Sequence, residues 1–343
     1  MQKDKGVSII VCCFNSKDRL PETLRHIALQ KLPNDVDCEV IVVDNASTDG
    51  TGKVAAHLWA EFDVTHIQFN IVDEVKPGLM NARQRGVDVS KYEYLVFCDD
   101  DNWLSDNYAI NAFNTLNNNP GIAALGGINL GVFEQGAPPE WIEEFGSGYA
   151  IGKQGTGELS ILKGGGYLVG AGICVKKSAY INVKKSGFKL LLSGRTGSSV
   201  IGGEDVELCY IFKIAGYEIA FSDKLVLQHY MPANRMTKKY LINMWRQYPA
   251  QWMIFDAYKI FLTDKYHDSG KKYKSAGYWQ STAAAKLRGN IAEFPKYLYH
   301  KIKGTLNYTL AYETDCLYQY YIIKNANKLV KIIDDIERQL NNK

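Results

Sequence analysis

Three short, almost wholly apolar runs constrain the fold of this chain more than any other feature: VSIIVCCF (Val7–Phe14), EVIVVD (Glu39–Asp44) and YLVFC (Tyr94–Cys98). Their apolar cores do not alternate with polar residues. Each therefore reads as a strand covered on both faces, the habit of parallel sheets flanked by helices. The intervening stretches Asp18–Leu32, Thr51–Phe62 and Leu79–Val89 read as helices, the first ended by Pro33, and Thr65–Val72 as a further strand. Strands alternating with helices imply right-handed crossovers and a mostly parallel sheet, a nucleotide-binding type of half-domain.

From about Asn119 to Ser199 the texture changes. Glycines cluster, among them Gly126-Gly127, Gly164-Gly165-Gly166, Gly170 and Gly172, and the segment reads as loops and short strands around a cleft. Glu204–Ala215 then reads as a helix entered through Gly202-Gly203, with Glu218–Phe221 and Lys224–Gln228 as short strands. Beyond Pro232 the chain is helical and aromatic, and Leu329, Ile332, Ile333, Ile336 and Leu340 form an apolar helical stripe. The expected organisation is an α/β domain over 1–235, with halves 1–118 and 119–235, followed by a helical region over 236–343.

Charge separates the same two parts. From Tyr240 onward there are 16 Lys/Arg against 9 Asp/Glu, so this part is +7 and the remainder −4. They are expected to meet different surroundings. No stretch approaches the roughly 18 apolar residues of a spanning helix. The polar start Met1–Gly6 runs straight into a strand, and the reading is a cytoplasmic protein. Seven cysteines without CxxC spacing read as free thiols, Cys12, Cys13, Cys38, Cys98, Cys174 and Cys209 in apolar surroundings and Cys316 among tyrosines.

Ligands of open parallel sheets bind beyond the carboxyl ends of the strands. Two of those ends are acidic: Asp44 after EVIVV, and Asp99-Asp100-Asp101 after YLVFC. The first strand is followed by CCFNSKD, with neither GxGxxG nor a P-loop, so no glycine-rich backbone cradle for phosphate exists there. A diphosphate can still be held if a divalent cation bridges it to carboxylates, since hard cations take oxygen ligands from both. Three adjacent carboxylates repel one another, a cost that a cation relieves, although a solvated acidic turn is the plainer alternative. Glu204-Asp205 at a helix start suits acid–base work, or simply complements the helix dipole. His229, in LVLQHYMP, is either a packed imidazole or a metal ligand. Trp103, Trp141 and Tyr149 are candidates for stacking on sugar faces or for core packing.

Four blocks in order carry a family resemblance: VSIIVCCFN (Val7–Asn15), VIVVDNASTDGT (Val40–Thr51), KPGLMNARQRGVDVSKYEYLVFCDDDNWL (Lys76–Leu104) and GGEDVELCYIFKIAGYEI (Gly202–Ile219). Together they resemble glycosyltransferase family 2, inverting enzymes of the GT-A fold. That resemblance implies a Rossmann-like nucleotide-sugar half and an acceptor half on one α/β sheet, here with a helical C-terminal extension. It also implies donor contacts through Asn15, Asp44, Arg83, Asp99 and Asp100. Asp101, Asp99 and His229 match the metal site of a DxD motif, for Mg2+ or Mn2+, and Asp100 is structural between its neighbours. Asp205 resembles the catalytic base, with Glu204 supporting it. Gly164–Gly172 resembles the segment lining the donor–acceptor cleft. The block around Arg83 departs from the family pattern, with Gln84 where Asn is usual.

The expectation is a metal-dependent, inverting transfer from a nucleotide-diphosphate sugar to a glycan or lipid-linked glycan, in cell-surface polysaccharide assembly. A non-catalytic nucleotide-sugar-binding module and a sugar nucleotidyltransferase are the alternatives. The first is disfavoured by the intact motifs, the second by the absence of a basic, glycine-rich loop after the first strand. The basic, aromatic C-terminal helices are read as a packed cap, an acceptor-holding surface, a homodimer surface or a peripheral contact with the inner face of a membrane. No nucleic acid partner is expected.

Overall fold

A computed structural model describes residues 5–192, 194, 202–263 and 271–341. Its centre is a ten-stranded sheet in the order β3-β2-β1-β4-β9-β6-β10-β5, with β7 beside β6 and β8 beside β10. β1 (Gly6–Cys13), β2 (Asp37–Asp44), β3 (Gln68–Asp73) and β4 (Tyr94–Asp99) are parallel neighbours, as are β6 (Ile122–Phe133) and β10 (Glu218–Met231). The antiparallel pairings all involve short strands: β5 (Asn102–Leu104), β7 (Gly152–Lys153), β8 (Leu159–Ile161) and β9 (Cys174–Lys176).

Both faces of the parallel strands are buried, which explains why the runs are continuously apolar. Ile10, Cys12, Ile41, Val43, Leu95 and Phe97 point into one core, while Ile9, Val11, Val40, Val42, Val96 and Cys98 point into the other. Helices α1 (Leu20–Ala28), α2 (Thr51–Glu61), α3 (Leu79–Val89) and α4 (Tyr108–Asn118) cover these faces. At Gly86 of α3 an added Cβ would lie 2.3 Å from Cγ2 of Ile10, so this helix sits close on β1. The elements beyond β6 include α5 (Ile142–Phe145), α6 (Lys177–Lys185) and α7 (Glu204–Ile214). Then α8 (Lys238–Leu262) lies along α7, and α9 (Ala276–Ile302) and α10 (Leu306–Asn341) form a hairpin that packs on α8.

Several element boundaries differ from the sequence reading, β3 for one beginning at Gln68 rather than Thr65, and two of the differences trace to tertiary contacts. The first helix ends at Ala28 rather than Leu32, because the chain turns there to meet the start of α4. Gln30 donates to the carbonyl of Ser105 at 2.8 Å and accepts from Ala109 N–H at 2.9 Å, and Lys31 N–H reaches the Asp106 carbonyl. The strands expected at Glu218–Phe221 and Lys224–Gln228 are one strand, β10, whose pairing with β6 slips between Phe221 and Val226. The seven cysteines are free thiols, all buried except the half-buried Cys316. Among the described residues no helix is long and apolar enough to cross a membrane.

Candidate active site

Parallel register aligns the strand ends first. Asp44 of β2 lies opposite Cys13 of β1, and Asp99 of β4 lies opposite Cys12. The chain then turns back through β5, which runs antiparallel to β10 with Asn102 opposite His229. The Asp101 carbonyl accepts from Tyr230 N–H at 2.9 Å. This pairing places His229 Nε2 3.5 Å from Oδ1 of Asp101, although the two residues are far apart in sequence. Both side chains are buried, and Asn102 also donates to Oδ1 of Asp101 at 3.1 Å.

A cavity of about 730 Å³ opens beside these groups. Asp99, Asp100, Asp101 and His229 line one part of it, and Glu204 and Asp205 at the start of α7 line another. Between them lies Arg83 of α3, only 4% exposed, with Nη2 3.8 Å from Asp99 and Nη1 3.6 Å from Glu204, and its guanidinium 5.3 Å from the centre of the Phe97 ring. Burial works against the charge of Arg83, yet Asp99 and Glu204 more than offset it, and its pKa is raised. Burial likewise raises the pKa of Asp99, with the charge of Arg83 opposing.

The two carboxylates of α7 are unlike. Glu204 is buried, its Oε2 has no hydrogen-bond partner among the described residues, and burial, aided by the charge of Asp205, pushes its pKa up to about 7. Asp205 is half-buried and held by backbone: Gly170 N–H donates to Oδ2, and Val206 N–H donates to Oδ1 at 2.8 Å. Gly170 has no room for a side chain, since a Cβ would lie 2.8 Å from Arg83 Nη2 and 3.2 Å from Asp205 Oδ2. The glycine-rich segment thus fixes Asp205 by bringing bare backbone against it.

The remaining residues singled out from sequence have other surroundings. Asp44 accepts from the backbone of Ser47 (3.1 Å) and Gly52 (3.1 Å), and Asn15 accepts from Thr48 N–H at 2.8 Å. Neither is among the residues lining the cavity, whereas their neighbours Asn45 and Phe14 are. Asp100 lines it but is bound to Ser16 and, at 2.7 Å, to Arg19. Trp103 is sandwiched between His26 and Tyr230, and Trp141 packs on Tyr149; of the three aromatics, Tyr149 alone lines the cavity.

Sequence reasoning missed two parts of the site. Arg235, with Nη1 3.3 Å from Oδ2 of Asp101, belongs to no recognisable motif. Trp245, Tyr248 and Trp252 of α8 form an aromatic wall of the cavity, with ring centres 5.1 and 6.1 Å apart along the series. Their three- and four-residue spacing is that of one helix face and was visible in the sequence, but core packing has the same signature.

Among the described residues no three His, Cys, Asp or Glu side chains converge as a ready-made metal cage. The donors present nonetheless fit a cation that shares its shell with a ligand. Asp101 and His229 offer a carboxylate and an imidazole 3.5 Å apart, His229 Nδ1 is buried without a partner, and half-buried Asp99 adjoins them. Diphosphate oxygens and water would complete such a shell, as is usual for Mg2+.

Comparison with known proteins agrees with this architecture. The mannosyltransferase PcManGT from Pyrobaculum calidifontis, solved with GDP-Man and Mn2+, superposes with a TM-score of 0.54 at 19% identity, covering 94% of this chain and 86% of that one. GalNAc-T7, solved with UDP, GalNAc and Mn2+, gives 0.50 at 12% identity over 76% of this chain and 50% of its own. The fold is GT-A. The family model of glycosyl transferase family 2 matches residues 8–166. Poly-beta-1,6-N-acetyl-D-glucosamine synthase of Staphylococcus epidermidis is 28% identical over 127 residues, 37% of this chain and 29% of the relative. Poly(ribitol-phosphate) beta-glucosyltransferase of Bacillus spizizenii is 25% identical over 138 residues, 40% of this chain and 21% of the relative. The match thus spans less than a third of the length of either relative.

Proposed function

We propose that this chain is a metal-dependent, inverting glycosyltransferase that moves a sugar from a nucleotide-diphosphate donor to a hydroxyl of a glycan acceptor. The observation that carries the reading is a single cavity in which Asp99, Asp101 and His229 face the acid pair Glu204-Asp205 across the buried cation Arg83. The names of the relatives favour a setting in polymer assembly of the cell-surface type, and the acceptor in this reading is a free or lipid-linked glycan.

Asp101 and His229, with Asp99, would hold a divalent cation, Mg2+ or Mn2+. When bound, it supplies positive charge that stabilises the departing diphosphate. Arg83 stays charged despite burial and adds a fixed positive group beside Asp99. Asn45 and Phe14, beside Asn15 and Asp44, offer a nucleoside-binding end of the cavity, and the bonds of Asp44 and Asn15 hold that loop in shape. The aromatic wall of Trp245, Tyr248 and Trp252 is suited to stacking on acceptor sugar rings.

In the transfer step an acceptor oxygen forms a bond to the anomeric carbon as the bond to the diphosphate oxygen breaks, inverting that carbon. The hydroxyl proton passes to Asp205, which the Gly170 and Val206 amides hold in position. Glu204, its pKa pushed up to about 7 by burial, lies beside it as a supporting group. Replacing Asp205 by Asn should abolish transfer while leaving nucleotide binding near normal. Retained transfer by Asp205→Asn would overturn the base assignment.

A further inference from the structure

The C-terminal half of α9 carries an apolar face that nothing in the described structure covers. At about 100° per residue, Ile291, Phe294, Leu298 and Ile302 fall within one arc of about 80°. All four are exposed, Ile291 at 69% and Ile302 at 86%, and Tyr299 beside them is exposed too. The helix is docked by a different side: Tyr297 is buried, stacked on Tyr312 of α10 at 4.5 Å. Such a stripe lies outside the arc that packs on the protein and belongs to neither core.

Charge indicates what it meets. Between Lys286 and Lys303 the helix and its end carry five basic residues and one acid, Glu293. Lys301 is engaged by Glu313 of α10, whereas Lys286, Arg288, Lys296 and Lys303 are exposed; by the same spacing Arg288 borders the arc about 40° beyond Ile302, and Lys303 follows about 40° beyond Tyr299. Lys296 and Lys303 hold their ammonium groups over the rings of Tyr308 and Tyr299, 5.0 and 4.8 Å from the ring centres, while both residues remain exposed. An apolar stripe rimmed by cations and an aromatic ring is the pattern of a helix lying in the plane of an anionic lipid surface.

We propose that the outer face of α9 from Ile291 to Lys303 docks this protein on a membrane bearing anionic headgroups. Ile302, Ile291, Phe294 and Leu298 enter the acyl boundary, and the lysines meet the phosphates. None of these residues lines the cavity, so the surface stands independently of the proposed transfer chemistry. Should that chemistry hold, the face would bring the cavity to acceptors built on lipid.

The test is cosedimentation of the full chain with phosphatidylcholine vesicles, with and without phosphatidylglycerol. Binding is expected to the anionic vesicles, at least about tenfold weaker to the neutral ones, and weakened by salt. Ile302→Asp and, separately, Ile291→Asp should each weaken binding about tenfold or more with an unchanged circular dichroism spectrum. Three results would overturn the proposal: no sedimentation at low salt, vesicle binding by both variants equal to wild type, or a dimer that Ile302→Asp splits in a protein that ignores vesicles. Donor turnover, measured without vesicles on the same samples, separates the two readings. Its absence from wild type refutes the transferase while leaving a positive vesicle result intact.

Discussion

Glu204 should weaken the fold at neutral pH, and Glu204→Gln should therefore stabilise the protein in the absence of donor and metal. The carboxyl is buried, Oε2 has no hydrogen-bond partner among the described residues, and the cation Arg83 is 3.6 Å away. Burial raises its pKa from 4.5 to about 7. An acid whose folded pKa is raised keeps its proton in the folded state after the unfolded chain has lost it, so stability falls as pH rises through that window. The penalty is absent below about pH 4.5 and complete above about pH 7, where it amounts to about 3 kcal/mol. Glutamine keeps the shape and removes the ionisation. With an unfolding entropy of roughly 2 cal/mol/K per residue, the variant should melt on the order of 5 °C above wild type at pH 8 and close to it at pH 4.5. Differential scanning fluorimetry in EDTA across this range reads the difference between the two proteins, which cancels other groups titrating in the same window. A melting difference that is flat with pH, or a variant that is less stable at pH 8, would refute the reasoning.

Further outcomes follow from contacts in the same cavity. Gly170→Ala places a Cβ 2.8 Å from Arg83 and 3.2 Å from Asp205, and should lower kcat by roughly 100-fold, the order of cost for displacing reacting groups by about 1 Å, with little change in donor Kd. Trp245→Ala should raise the acceptor KM by up to about tenfold, as expected for one lost ring contact, while metal-dependent donor hydrolysis is unchanged. Initial-rate kinetics with each substrate varied in turn read both.

Much of this architecture was legible in the residues, for a physical reason. A strand buried on both faces has to be apolar throughout, so VSIIVCCF, EVIVVD and YLVFC announced β1, β2 and β4 almost to the residue. Helix α3 matched its expected span because Gly78 and Ser90 bound it locally. Helix α1 did not, because Gln30 and Lys31 leave it to bond the loop before α4 and the start of that helix, a tertiary contact no local pattern encodes. Similarly, β10 is one strand rather than two because its pairing with β6 resumes beyond the slip at Phe221. In the site, the acidic run and the Glu204-Asp205 pair were visible through the four ordered blocks that carry the family resemblance, since acids at a helix start alone are an ordinary complement to the helix dipole. The family resemblance implies unequal roles for Glu204 and Asp205, but the physical cause of the inequality was not visible. It comes from Gly170, whose amide holds Asp205, and from burial that falls on Glu204. Arg235 escaped notice because its contact with Asp101 depends on the turn after β10.

The central claim is that Asp101 and His229 hold a donor through a divalent cation. Isothermal titration of UDP- and GDP-sugars into the protein, with Mn2+ and then with EDTA, tests it most directly when paired with Asp101→Asn. One class of donor should bind wild type with Mn2+, weaken at least about tenfold in EDTA, and lose that metal dependence in Asp101→Asn. Equal donor affinity with Mn2+ and EDTA, or an Asp101→Asn protein that keeps the full metal effect, would contradict the account.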